Sequence, residues 1–197
     1  MNNRQSNDVR SSSGDTNWYT PLWIIDLAKQ VMGGIALDPA SCAEANEVVK
    51  ADFIYNIHDD GLALPWLAGT VFCNPPYGKG DVTGKWWRKM WTEYEAGNFA
   101  QGMFLANATM ETKWMQHALG HCVVLLIAGR VKFWKPGLAT RNGQLGSALV
   151  YLPPRHDDPP RPLGVPLGAP LYVPLYAEAV RRFADAAGGR GVVITSL

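Results

Sequence analysis

The chain has little cysteine: Cys42, Cys73 and Cys122 in 197 residues, widely spaced and without a Cys-x-x-Cys pair. An odd, scattered set of this kind fits neither a disulfide framework nor a zinc site, and all three read as small, reduced residues. Charge is scarce as well. Asp, Glu, Lys and Arg make up 18% of the residues and sum to a formal net charge of +1. That composition excludes a charged, disordered chain and leaves no global basic field to attract nucleic acid. Long apolar runs are missing too, since none approaches the roughly 18 residues of a membrane span. Residues 1–17 lack the apolar stretch of a secretion signal. The expectation is a soluble, cytoplasmic protein without a membrane partner. What the chain does have is apolar residues, 47% of the total, in a length suited to a single compact domain.

Residues 1–17 carry one apolar side chain after Met1, Val9, and are expected to form a flexible polar tail. Thr20-Pro21 then reads as a hydroxyl N-cap with proline at the first helical position. Leu22, Ile25, Ala28 and Val31 recur at helical spacing and Gly33-Gly34 supplies a stop, which predicts a helix over Pro21 to Met32. Ile35-Ala36-Leu37 ends abruptly at Asp38-Pro39 and reads as a strand that delivers an acid at its C-terminal end. Three similar events follow: Val71-Phe72-Cys73 before Asn74, residues 102–106 before Asn107, and residues 123–128 before Gly129-Arg130. Helical patterns lie between them over 85–96, closed by Gly97, and over 111–119, closed by Gly120. The alternation predicts βαβ units and a mostly parallel sheet whose ligands bind beyond the carboxyl ends of the strands. Residues 153–174 hold eight of the fourteen prolines and are expected to be an extended segment. A helix over 175–187 with Arg181 and Arg182 and a last strand over 192–194 complete the chain. The expected organisation is a tail over 1–17, a main domain over 18–152, a proline-rich segment over 153–174, and a helix and strand over 175–197 packed on the domain.

The sharpest feature is Asn74-Pro75-Pro76-Tyr77 directly after an apolar strand. The prolines stiffen the turn and remove two backbone donors, leaving it rich in carbonyl acceptors. The carboxamide oxygen of Asn74 and the carbonyl of Pro75 are then placed to accept both hydrogens of one NH2 group, which selects a planar amine. Such an amine on a heteroaromatic ring is a poor nucleophile, because its lone pair is delocalised. Holding both hydrogens out of plane pushes the nitrogen toward a tetrahedral shape and frees the pair. Tyr77 adds a π-face for the ring. The plain alternative is a rigid strand-to-helix turn capped by Asn74.

Asn-Pro-Pro-Tyr after a strand resembles the catalytic signature of S-adenosylmethionine-dependent amino methyltransferases, above all those acting on adenine N6. The resemblance extends through Trp18-Tyr19-Thr20-Pro21, Leu37-Asp38-Pro39-Ala40-Ser41, Asp60-Gly61-Leu62 and Gly129-Arg130-Val131-Lys132-Phe133. In that order, over about residues 18–152, the chain is similar to phage-type DNA N6-adenine methyltransferases of the Dam type. The resemblance implies an α/β fold with the Rossmann-like, mostly parallel sheet of the S-adenosylmethionine-dependent methyltransferases. It implies Asn74, Pro75, Pro76 and Tyr77 as catalytic residues. Tyr19, Thr20 and Pro21 would lie at a helix N-terminus that receives the methionine carboxylate of the cofactor. Asp38, Pro39, Ala40 and Ser41 would form the first cofactor loop, with Asp38 near the ammonium group. Asp59 or Asp60 would accept from the adenine amine of the cofactor, Asn74 would border the cofactor as well as the base, and Phe133 would join Tyr77 against the target base. The sequence departs from the broad pattern in two places. The loop over 38–42 has no glycine, and the nineteen residues between Asp38-Pro39 and Asp59 are too few for a full helix, strand and helix. The usual ribose-binding acid therefore has no counterpart beyond Glu44, Glu47 and Asp52.

An adenine N6 inside a duplex is out of reach, so the base must leave the stack at a cost of a few kcal/mol that phosphate contacts help offset. Lys79, Lys85, Arg88 and Lys89, against Asp81 and interleaved with Trp86, Trp87 and Trp91, are one candidate edge for the DNA; a solvated helix face over core tryptophans is the alternative. Arg130, Lys132, Lys135 and Arg141 form a second basic stretch, and Arg155 and Arg161 lie in the proline-rich segment. The expected activity is direct in-line transfer of the methyl group of S-adenosylmethionine to adenine N6 in DNA, with no metal. In a phage-encoded protein it would take place in the host cytoplasm. The nearest rivals act on an RNA base or a protein glutamine. A catalytically silent DNA-binding relative, or a proline-rich tail serving as a protein ligand, is a rival of another class.

Overall fold

The computed structural model describes residues 18–78, 80–143, 145–155 and 173–195, without the side chains of 173–176. The expected tail, Lys79, and residues 156–172 of the proline-rich segment with Arg161 lie outside the described residues. Helix α1 (Leu22–Met32) buries Ile24, Ile25, Leu27, Ala28, Val31 and Met32, the apolar stripe its periodicity predicts. It ends at Gly33, whose φ of 81° no residue with a Cβ adopts easily. Its start corrects the sequence reading. Pro21 is itself the N-cap, extended and without a capping side chain, while Thr20 is buried one step earlier.

Strand β1 (Leu37–Asp38) follows, then α2 (Ala43–Val49), β2 (Phe53–Ile54), β3 (Thr70–Cys73), α3 (Val82–Glu95), β4 (Gln101–Asn107), α4 (Lys113–His121) and β5 (Val123–Ile127). A hairpin of β6 (Lys132–Phe133) and β7 (Arg141–Asn142) leads to β8 (Ser147–Leu152), α5 (Val173–Ala187) and β9 (Gly191–Thr195). Helix α4 passes through Gly120, which sequence reading takes as its stop, and ends at Cys122.

Seven strands form one sheet in the order β2-β1-β3-β4-β8-β5-β9. The first four run parallel, β8 lies antiparallel between β4 and β5, and β9 is antiparallel to β5. The sheet is thus mostly parallel, as expected, with β8 the element that periodicity does not reveal. Alternate residues of the central strands face opposite sides, as strand pleating requires. Met103, Leu105, Val123, Leu125, Leu149 and Tyr151 join α1 and α5 in one core, with Tyr151 stacked on Phe183 at 5.2 Å between centroids. Phe104, Ala106, Val124, Ala148, Val150 and Leu152 join α3 and α4 in the other. Trp87 sits at the centre of that second core against Phe104 and Trp114.

From β1 the chain steps outward to β2 on one side, and from β3 it steps to β4 on the other. The order of the strands reverses between β1 and β3, whose carboxyl ends therefore flank the crevice where such sheets bind ligands. Asp38 stands at the end of β1, and Asn74 immediately follows β3.

Candidate active site

Pairing of Leu37 with Val71 sets the two strand ends side by side. Asp38 is only 3% exposed, and its carboxylate accepts from the Ala40 amide at 3.2 Å. Burial raises its pKa to about 7, against the lowering effects of the Ala40 amide and of the Ser41 hydroxyl beside it. That hydroxyl is buried and forms no well-directed hydrogen bond. No Lys, Arg or His among the described residues pairs with Asp38. A buried acid with a vacant charge requirement and an unsatisfied hydroxyl beside it form a donor set suited to a ligand ammonium.

The loop 38–42 continues into α2, where the Cys42 sulfur accepts from the Ala45 amide and serves as N-cap. The loop after β2 folds back over it. Gly61 is required there, because a Cβ would approach the Pro39 carbonyl oxygen to 2.1 Å. The Gly61 carbonyl is in turn held by the indole N–H of Trp66 at 2.7 Å. Asp59 and Asp60 lie in this turn, both exposed, with carboxylates that accept from the amides of Asn56 and Leu62. Asp60 occupies the left-handed region at φ 51°. The nineteen-residue interval thus accommodates one short helix and one short strand, with no second helix before these acids.

At the end of β3, Pro75 is buried while Asn74 and Tyr77 are half-buried. Asn74 is fixed at both ends of its carboxamide: Nδ2 donates to the Trp18 carbonyl at 3.3 Å, and Oδ1 accepts from the Tyr77 hydroxyl at 3.3 Å. Burial pushes the Tyr77 phenol and the neighbouring Cys73 thiol well up, so both stay protonated at neutral pH. The Tyr77 ring meets Phe133 edge-on at 6.1 Å. Phe133 itself is buried in the core and presents no face to a base in this conformation.

Residues 18–20 pass across this site as a strap. Tyr19 exchanges two backbone hydrogen bonds with Trp134, at 2.9 and 3.1 Å, and the Trp134 indole N–H donates to the Thr20 carbonyl at 2.8 Å. Tyr19 also accepts from the Cys42 thiol at 3.2 Å. The Arg141 guanidinium lies 5.6 Å from the centroid of the Trp18 ring. The strap thus brings Tyr19 and Thr20 to the same place as Asp38, Ser41 and Asn74. Trp134 is the member that sequence reading misses, because a contact across 114 residues leaves no mark on local periodicity, while Arg141, expected only as part of a basic stretch, lies against Trp18.

The basic residues divide into two groups. Lys85 is exposed, Arg88 pairs with Asp81 at 2.8 Å on the surface, and Lys89 pairs with Glu93. Glu93 is buried and also accepts from the Trp66 amide and the Asn98 side chain, so Lys89 serves the fold. Trp86 and Trp87 are core residues, which leaves this face the character of a solvated helix. Arg130 and Lys132 are exposed beyond β5. No group of three or more His, Cys, Asp or Glu side chains among the described residues is placed to hold a metal ion. No described helix is long and apolar enough to cross a membrane.

Residues 6–155 match the protein family described as DNA N-6-adenine-methyltransferase (Dam). The chain belongs to the Dam family of DNA N6-adenine methyltransferases. It is accordingly a transferase that methylates adenine in DNA. No curated protein matches it significantly. Among solved structures it is similar to one titled human methyltransferase 10 domain containing protein, at 10% identity and a TM-score of 0.38. That likeness covers 66% of this chain and 81% of the other. The Dam-type enzyme thus sets Asn-Pro-Pro-Tyr at the carboxyl end of a strand beside a buried acid, at the crevice where the sheet changes direction.

Proposed function

We propose that the methyl donor is S-adenosylmethionine, held in the crevice between β1 and β3, and that the acceptor is an adenine extruded from duplex DNA. The observation that carries this reading is the side-by-side placement of Asp38, buried with no cationic partner among the described residues, and Asn74, a carboxamide pinned in one orientation. The Asp38 carboxylate receives the donor's ammonium, which favours its ionised form and offsets the penalty of burial. The start of α1 receives the carboxylate: an 11-residue helix with no acid in its first turn leaves its dipole and first amides unopposed, beside Tyr19, Thr20 and Pro21. Pro39, Ala40 and Ser41 line the loop that follows Asp38. Asp59 or Asp60 accepts from the donor's adenine amine, since each keeps a carboxylate oxygen beyond its turn contact.

S-adenosylmethionine supplies an electrophilic methyl group on a sulfonium. The chain's own task is to present a nucleophile to it. Asn74 Oδ1 and the Pro75 carbonyl accept the two N6 hydrogens and draw them out of the purine plane, which restores the nitrogen lone pair. Pro76 keeps the turn rigid, and Tyr77 offers its ring to the base. No strong base is needed, because the amine becomes acidic only as it acquires the methyl group and positive charge; the donor leaves as a neutral thioether, and the surplus N6 proton passes to solvent water. The acceleration rests on alignment and preorganised acceptors. Beside the crevice Arg130 contacts phosphate, whereas Lys85 and Arg88 stand on the solvated face of α3.

The test is to incubate the protein with donor labelled in the methyl group and mixed-sequence duplex DNA, digest to nucleosides, and identify the labelled one. Label in N6-methyladenine is expected. Label in cytosine, in RNA alone or in protein overturns the substrate assignment, and no heat on calorimetric titration with the donor, with or without DNA, overturns the cofactor assignment.

A further inference from the structure

We infer that Trp134 is a positioning residue for methyl transfer, acting through the 18–20 strap on the carboxamide of Asn74. The inference rests on the function proposed above and adds to it a link between the β6–β7 hairpin and the reacting amine. Three observations carry it. The Asn74 carboxamide is held at both ends, with Nδ2 donating to the Trp18 carbonyl and Oδ1 accepting from the Tyr77 hydroxyl, so the Trp18 carbonyl is one of the two groups that set its orientation. That carbonyl belongs to a segment anchored to the hairpin by the paired backbone bonds between Tyr19 and Trp134 and by the indole bond from Trp134 to Thr20. The opposite strand of the hairpin adds Arg141 over the Trp18 ring, so the hairpin grips the strap both at the residue whose carbonyl orients Asn74 and at the two residues after it.

Each contact is local, and together they form one path: hairpin, strap, carboxamide. The hairpin also carries Lys132, exposed, and follows Arg130, so it stands where an anionic duplex would first touch this side of the crevice. DNA engaged there bears on the strap that holds the catalytic amide, and the amide is well aligned only while the strap is seated. A side chain this remote from the reacting atoms then affects the chemical step without touching substrate, because small misplacements of an acceptor cost rate more than they cost binding.

The test uses the full chain with labelled donor and mixed-sequence duplex, comparing wild type, Trp134→Phe, Asn74→Asp and the double variant. Trp134→Phe keeps an aromatic ring against Tyr19 but removes the donor to Thr20. Its kcat is expected to fall about three- to tenfold, with the KM for DNA unchanged within about twofold and any loss of donor affinity by calorimetry smaller than the loss of kcat. Asn74→Asp keeps an acceptor oxygen but replaces the donor that meets the Trp18 carbonyl. In that background Trp134→Phe is expected to have no further effect, because the path is already cut. Trp134→His, which restores a ring N–H, should recover part of the kcat and serves as the second variant if the phenylalanine form folds poorly. An unchanged kcat in Trp134→Phe overturns the inference. So does a loss that adds in full to that of Asn74→Asp, or that appears equally in donor affinity. A wild-type protein that labels no DNA would instead overturn the function on which the inference rests.

Discussion

The Tyr77 hydroxyl donates to the Asn74 carboxamide oxygen across 3.3 Å, while the other end of the same carboxamide is tied to Trp18. A carbonyl oxygen has two lone pairs, so the Tyr77 contact leaves one for an amine hydrogen. Asn74→Ala is expected to lower kcat by about 100-fold or more, the scale set by losing one preorganised polar group at a reacting centre. Donor affinity should stay within about threefold, since in this reading Asn74 aligns the acceptor base. Tyr77→Phe keeps the ring and should retain turnover within about threefold. Methyl-transfer kinetics and calorimetry measure both; near-normal turnover in Asn74→Ala would defeat the mechanism.

Asp38 predicts an opposition between stability and donor binding. Its pKa is raised on folding from 3.8 to about 7, so between those values the native state holds a proton that the unfolded chain releases. Its contribution is therefore full below about pH 4 and is lost as pH rises toward 7, by at most about 4 kcal/mol in the absence of donor. Asp38→Asn removes this loss. Thermal unfolding should show the variant gaining on wild type between pH 5 and pH 8, while calorimetry shows donor affinity at least about tenfold weaker at pH 8. Equal pH profiles for the two proteins would contradict the assignment.

Gly61 reports on the contact between the two loops of the crevice. A Cβ there meets the Pro39 carbonyl at 2.1 Å, a backbone atom that cannot swing aside. Gly61→Ala is expected to destabilise the fold by about 1–3 kcal/mol. It should also weaken donor binding more than DNA binding, because the displaced chain carries Asp38 and Asp60. Denaturant titration and the two binding measurements separate these effects, and a variant of wild-type stability would show that the loops do not pack as described.

The two basic regions should differ in salt dependence. Alanine at Arg130 or Lys132 is expected to reduce the slope of log affinity against log salt by about one each, as for a phosphate contact. Arg88→Ala breaks a surface pair with both partners 61% exposed, and should change stability by less than about 1 kcal/mol. DNA titrations by fluorescence anisotropy at several salt concentrations test the first; thermal unfolding tests the second.

Strands that end in a polar residue were legible in the sequence, because a run such as Val71-Phe72-Cys73 followed by Asn-Pro-Pro has only one cheap geometry. The crevice was legible for the same reason, since Asp38 and Asn74 both follow apolar runs. Strand β2 escaped notice because two residues, with Phe53 71% exposed, carry no pattern. Strand β8 is buried throughout, but nothing local distinguishes an antiparallel strand wedged into a parallel sheet from another parallel one. Gly120 has the position of a helix stop in the sequence, yet its φ is not left-handed and α4 runs through it. The start of α1 was misplaced because Thr20 gives its carbonyl to Trp134, a partner no window around residue 20 contains. The tryptophans of α3 were ambiguous until Phe104 and Trp114 supplied their neighbours.

The place of β8 bears on how the protein is made. Strands β4 and β5 are separated in sequence by α4 alone, yet neither is hydrogen-bonded to the other, and the slot between them is filled by residues 147–152. A nascent chain emerging from the ribosome therefore carries two unpaired inner edges until the second half of the hairpin region has been synthesised. The middle of the sheet closes late and from long range, which is slow and leaves sticky backbone exposed in the meantime. Fragments that stop short of Ser147 lack the strand that joins β4 to β5, so they are expected to leave the sheet open and the site unsupported.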